Sequence, residues 1–205
     1  MIVKSLPVGP LYTNCFIIGC EDTKEAAVVD PGGDSDKILM SLADDKLTLK
    51  YIINTHGHFD HVAGNKRLKD ATGAKILIHE EDATLLTTPS MGLSQDNLQA
   101  ADEFIKDGDK ISFGNITLEV IHTPGHTRGG ISLYTPGHVF VGDTLFAGSI
   151  GRTDFPGGDY ETLINSVKDR LFPLGDEVMV YSGHTAETTI GNERKFNPFF
   201  TGQYI

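Results

Sequence analysis

The sequence predicts an α/β fold in which two β-sheets pack face to face and carry helices on their outer surfaces. Two observations lead there. Each half of the chain alternates short apolar, β-branched runs with stretches of helical spacing, and 205 residues can bury such a core without cross-links. The expected organisation is one domain over residues 1–205.

Residues 13–18 are apolar and β-branched and read as a strand, and residues 25–29 read as a second, stopped by Asp30-Pro31-Gly32-Gly33. Asp34 or Ser35 is placed to cap a helix whose apolar positions Ile38, Leu39 and Leu42 recur at helical spacing. A strand over 47–54, apolar enough for burial on both faces, completes a β-α-β unit. A helix over 60–71, a strand over 75–78 and a helix from Glu80 follow. Residues 87–101 are polar and contain Pro89, Gly92 and Ser94, which suits a long irregular connection and makes the segment a candidate lid. Residues 111–113 and 116–121 form a hairpin across Gly114-Asn115, and strands over 130–134 and 139–141 flank Pro136-Gly137. A helix over 160–171, a strand over 178–181 and a helix over 186–196 complete the chain.

Composition narrows the function. Lys and Arg number 17 against 28 Asp and Glu, a net charge of −11, so no basic stripe is available to neutralise phosphates and no nucleic-acid partner is expected. No apolar run reaches the ~18 residues of a membrane span, and Lys4, Pro7, Pro10 and Asn14 interrupt the start of the chain before a signal sequence can form. A cytoplasmic location without membrane attachment is expected. Cys15 and Cys20 lack C-x-x-C spacing and are assigned to packing.

The densest chemistry is Thr55-His56-Gly57-His58-Phe59-Asp60-His61, directly after a buried strand. Histidines at i and i+2 of an extended segment point the same way, so His56 and His58 can grip one ion. Asp60 and His61 fall at the turn into a helix, where both can face a second. Such a site needs further ligands at later strand ends, and His126, Asp143 and His184 each stand at a strand-to-loop boundary beside Gly or Pro.

These motifs resemble the metallo-β-lactamase superfamily over nearly the whole chain: Val29-Asp30-Pro31-Gly32, then THGHFDH, Thr123-Pro124-Gly125-His126-Thr127, Gly142-Asp143-Thr144-Leu145-Phe146 and Ser182-Gly183-His184-Thr185. The resemblance implies a four-layer αββα sandwich with two divalent ions at its open edge. It further implies that His56, His58 and His126 bind one ion, that Asp60, His61 and His184 bind the other, and that Asp143 bridges them. Zinc is the first choice, with iron and manganese as alternatives. Within the superfamily the chain is similar to short bacterial glyoxalase II, which lacks a C-terminal helical domain; Gly151-Arg152-Thr153-Asp154-Phe155 and Gly191-Asn192-Glu193-Arg194 carry this likeness.

That likeness implies hydrolysis of an acyl-thiol such as S-D-lactoylglutathione by metal-activated water, with Asp60 orienting the water. The only partner this requires is the small substrate, for a monomer or a homodimer. Arg152 stands where the longer enzymes place a substrate-binding Lys and can pair with a carboxylate of the thiol carrier or face solvent. Asp30 can hydrogen-bond a ligand histidine or cap its turn. The rival readings are a mononuclear iron persulfide dioxygenase using His56, His126 and Asp143, and a non-catalytic metal-stabilised binding protein. His79 and His138 are assigned structural roles, as is His122, for which a contact behind a ligand is the alternative; Tyr134, Phe146 and Phe155 can line the pocket but are assigned to core packing.

Overall fold

The computed structural model describes residues 1–90 and 92–202. One six-stranded sheet runs, in spatial and chain order alike, through β1 (Ile2–Val8), β2 (Thr13–Gly19), β3 (Glu25–Val29), β4 (Thr48–Ile53), β5 (Lys75–His79) and β6 (Glu103–Ile105). Its first three strands are antiparallel neighbours, and β3 to β6 are parallel. The second sheet is built from β7 (Lys110–Phe113), β8 (Ile116–His122), β9 (Ile131–Thr135) and β10 (His138–Gly142). After a small ribbon of β11 (Leu145–Phe146) and β12 (Ser149–Ile150), β13 (Met179–Ser182) and β14 (Thr188–Thr189) complete it, in the order β14-β13-β10-β9-β8-β7.

Strand alternation explains the layering. In β2, Cys15 and Ile17 face a cluster with Ile38, Leu42 and Leu68 of the helices α1 (Ser35–Asp44) and α3 (Asn65–Thr72), whereas Phe16 and Ile18 face the second sheet. Ile52 and Ile53 divide the same way, as do Ile76 and Leu77. Across the sandwich, Phe140 turns inward while Val139 and Val141 pack on Val167, Leu171 and Ile190. The predicted four layers are therefore present, each sheet buried on both faces. No helix among the described residues is long and apolar enough to cross a membrane.

Several predicted boundaries are corrected. Strands β1 and β6 had no counterpart in the sequence reading. The single helix over 60–71 is two, α2 (Phe59–Val62) and α3, broken where Gly64 donates its N–H to Pro31 O at 2.7 Å. The helix from Glu80 is a 3₁₀ segment, Glu80–Thr87, and the helix over 160–171 is α4 (Tyr160–Ser166) followed by a π-turn. Residues 186–189 are not helical: Thr188–Thr189 pairs with β13, and α5 covers Ile190–Phe196. Asp34 occupies the N-cap position of α1 but its side chain makes no capping bond; in a left-handed conformation (φ 45°), it accepts the Gly9 N–H at 3.0 Å instead. The candidate lid, one residue of which (Met91) lies outside the described residues, is anchored by Leu93, packed into the core beneath the first sheet.

Candidate metal centre

Strands β3, β4, β8, β10 and β13 end at one edge of the sandwich. Asp30 follows β3, the His56–His61 segment follows β4, His126 follows β8, Asp143 follows β10 and His184 follows β13. Backbone bonds tie the two sheets together there: Ile131 N–H donates to Thr55 O at 2.9 Å, and Asn14 N–H to Gly183 O at 2.7 Å. Ligand-bearing loops are thus fixed by strands on both sides.

His56, His58 and His126 offer ligand atoms within 4.8 Å of one another, as do Asp60, His61 and His184. In the first group the rings stand nearly perpendicular, at 84° to 89°, and His58 Nδ1 lies 2.9 Å from His126 Nε2. In the second, His184 Nε2 lies 3.1 Å and His61 Nε2 3.4 Å from Asp60 Oδ2. Asp143 stands between the groups, 3.5 Å from His61 Nε2 and from His184 Nε2 and 3.7 Å from His126 Nε2.

The donor set fits divalent ions. His56 Nε2, His61 Nε2 and Asp143 Oδ1 are buried without a hydrogen-bond partner, a costly arrangement unless a cation meets them. A glycine keeps the space open: a Cβ at Gly183 would lie 2.3 Å from Asp143 Oδ1 and 2.7 Å from His61 Cε1.

Hydrogen bonds on the far side of three of the rings, His56, His61 and His126, fix their tautomers. Asp30 Oδ2 accepts from His61 Nδ1 at 3.0 Å and from the Thr55 hydroxyl at 2.6 Å, and Asp30 Oδ1 accepts the Thr55 N–H at 2.7 Å. Since the Thr55 hydroxyl proton goes to Asp30, its oxygen accepts from His56 Nδ1 at 3.1 Å. His126 Nδ1 donates to the Arg152 carbonyl at 2.7 Å. Nε2 of His56, His61 and His126 is left as a lone pair aimed inward. Of the two readings of Asp30, the contact with a histidine is realised, directly at His61 and through Thr55 at His56.

Electrostatics point the same way. Burial and the neighbouring imidazoles push His56 well down and bring His58 to about 4, so both are neutral near pH 7, the form able to bind a cation. Burial opposes charge on Asp60 and Asp143, but the His184 hydrogen bond holds Asp60 low and His61 holds Asp143 low. Burial likewise opposes a proton on His61, yet the Asp143 and Asp30 carboxylates raise its pKa, and the Asp60 hydrogen bond raises that of His184. A bound cation would take the place of those protons.

The structure gathers His56, His58, Asp60, His61, His126, Asp143 and His184 at this edge, with Asp30 behind them. Arg152 contributes its carbonyl; its guanidinium is forked onto Asp154 at 2.9 and 2.7 Å and lies 4.2 Å over the Phe155 ring. Two aromatic assignments are corrected. Phe155 is exposed rather than core and meets His58 edge-on at 5.7 Å, and Phe146 is half-buried beside His184 at 6.3 Å. Tyr134 packs against the second sheet's outer core as expected. Sequence reasoning missed Thr13, whose hydroxyl donates to Asp60 Oδ2 at 3.1 Å, and Thr55. Nothing in the local sequence marks Thr13, which opens β2 far from any motif.

A model of the metallo-β-lactamase superfamily matches residues 8–184. The hydroxyacylglutathione hydrolase GloC of Haemophilus influenzae is 37% identical over 212 residues, covering 99% of this chain and all of that one. Among solved structures, the BLEG-1 B3 metallo-β-lactamase superposes with a TM-score of 0.91 at 36% identity, covering 98% of this chain and all of that one. TTHA1623 in a di-iron-bound form gives 0.86 at 34%, covering 96% and 100%.

Proposed function

The chain belongs to the metallo-β-lactamase superfamily, and from that premise we propose that it is a metal-dependent hydrolase of the glyoxalase II type, opening the thioester of an S-2-hydroxyacyl thiol such as S-D-lactoylglutathione. The observation that carries the reading is Asp143 standing between two complete ligand groups. End-to-end similarity to a hydroxyacylglutathione hydrolase supports the substrate class. We further propose two ions per chain, with zinc preferred; the di-iron form of TTHA1623 makes iron its competitor.

Ions bound in the two groups would supply Lewis acidity and a water acidic enough to ionise near neutral pH. His56, His58 and His126 would hold one ion, Asp60, His61 and His184 the other, and Asp143 both. Thr13 holds the Asp60 carboxylate in place at Oδ2, and that carboxylate would accept a hydrogen bond from the attacking water and so aim it at the carbonyl carbon. The rings of Phe155 and Phe146 flank opposite ends of the centre, against His58 and His184, and give the acyl-thiol apolar walls. The leaving thiolate is stable enough to depart without a dedicated acid. The substrate is the proposed partner, for a cytoplasmic monomer or homodimer.

A second reading rests on His56, His126 and Asp143 alone, a two-histidine, one-carboxylate set that suits a single iron and oxygen chemistry. It leaves unexplained why His61 and His184 also reach Asp143. The test is metal content of protein purified without added metal, with the same sample assayed on S-D-lactoylglutathione and on glutathione persulfide with oxygen. Two ions per chain and thioester hydrolysis support the hydrolase. One iron and oxygen consumption sink it.

A further inference from the structure

Asp82 lies in the 3₁₀ segment after β5, is 1% exposed and takes no part in the chemistry above. Its Oδ2 accepts the Gly57 N–H at 3.0 Å, and its Oδ1 accepts the Gly129 N–H at 2.8 Å. Gly57 separates His56 from His58, and Gly129 follows His126 by three residues. One carboxylate therefore grips both loops that deliver the three histidines of the first group, one loop rooted in each sheet. The approach is close, since a Cβ at residue 129 would lie 2.7 Å from Asp82 N and 2.8 Å from Oδ1. Asp60, His61 and His184 find their partners elsewhere, in Thr13, in Asp30 and in one another.

We propose that Asp82 is a positioning residue that sets the separation of His56 and His58 from His126, and thereby the metal affinity of that group alone. The inference rests on the metal-binding reading above. Both bonds are charge-assisted and buried, so they are strong, and losing either leaves an amide unpaired in the interior. Asp82→Asn is the sharpest perturbation. An amide has one acceptor oxygen, so it can hold one loop only, and its NH2 group faces the N–H of the other.

The test titrates the metal-free full chain with zinc against a chromophoric chelator. His126→Ala and His184→Ala assign the two affinities to the two groups. Asp82→Asn is expected to weaken the affinity that His126→Ala removes by roughly tenfold to a hundredfold, as loss of an outer-shell partner does, and to leave the other within about twofold. A role in general stability would not split the two affinities. Equal weakening of both, no change in either, or a metal-free variant unfolded by circular dichroism would overturn the proposal. If the unaltered chain binds no zinc, the metal reading falls with it; if two ions bind and Asp82→Asn changes neither, only the role of Asp82 falls.

Discussion

Among the described residues, imidazoles crowd beside a carboxylate at the candidate metal centre, where His56, His58 and His126 stand next to Asp143, and again away from it, where His79 and His122 stand next to Glu81. In both, candidate ligand atoms lie within 4.8 Å of one another. The ring planes separate them. The first three rings are mutually perpendicular, so their nitrogens can converge on one point. His79 and His122 are stacked, 4.4 Å between centroids and 4° between planes. An ion lies in the plane of the imidazole that binds it, at about 2.1 Å from the nitrogen, and two stacked parallel planes share no such point. The far-side hydrogen bonds differ as well. At His56 and His126 they leave lone pairs pointing inward, whereas His122 Nε2 is satisfied by Arg128 O at 2.9 Å and His79 Nδ1 accepts the Glu81 N–H at 3.3 Å. Proximity alone does not make a metal site; ring orientation and tautomer do.

The largest effect expected from breaking this contrast is at His126. His126→Ala removes a proposed ligand and should lower zinc affinity of its group by more than about a hundredfold, beyond the range of an outer-shell change, with the proposed thioesterase activity falling in step. Metal content by elemental analysis and competition titration checks it. A variant that kept its full metal would show that perpendicular rings are no better guide than stacked ones.

Asp30→Asn should come next. The carboxylate accepts from His61, the Thr55 hydroxyl and the Thr55 amide, and an amide can serve as acceptor on one side only. With its NH2 group facing His61 Nδ1, the ring would lose the partner that directs its Nε2 inward. Zinc affinity of the Asp60, His61 and His184 group should drop by roughly tenfold to a hundredfold, measured in the same titration. Unchanged affinity would mean that packing alone fixes the tautomer.

A smaller effect is expected at Arg152. Its guanidinium is already forked onto Asp154 and stacked on Phe155 in an exposed position, and exposed ion pairs contribute little. Arg152→Ala should keep both metals and change KM for S-D-lactoylglutathione by no more than about fivefold, because substrate would have to displace Asp154 to reach it. A much larger rise in KM with kcat intact would show that the pair opens to take the substrate's carboxylate.

That these seven side chains gather at one edge was readable in the sequence because each sits in a short motif at a strand end, where a buried strand and a following glycine or proline leave few directions for the side chain. The layers were readable too, since strands such as that over residues 25–29 are apolar at successive positions from Ala26 to Val29. What surrounds the ligands was not. Thr13 and Asp82 reach the centre from distant segments, and their contacts depend on how the sheets close rather than on any local pattern. Edge strands β1 and β6 escaped for a related reason. Each gains its partner from a single neighbour, so one side needs no apolar match, and Lys4 and Glu103 are tolerated there. The break between α2 and α3 is likewise tertiary, fixed by the bond from Gly64 to Pro31.

The smallest effect is expected where the contrast makes its negative claim. His79→Ala and His122→Ala each remove an imidazole from the stacked pair, but neither ring can share an ion with the other without turning out of the stack. Turning His122 would break its bond to Arg128 O, at a cost of about 1 kcal/mol, and a single remaining His and Glu81 would repay little of that in water. Zinc stoichiometry at micromolar concentration should therefore stay at that of the unaltered chain in both variants, and kcat/KM should stay within about twofold. A third zinc per chain lost in either variant would show that these rings reorient on binding, and the ring-plane criterion would then hold only for rings whose far-side nitrogens are held by buried partners, as Asp30, Thr55 and the Arg152 carbonyl hold theirs.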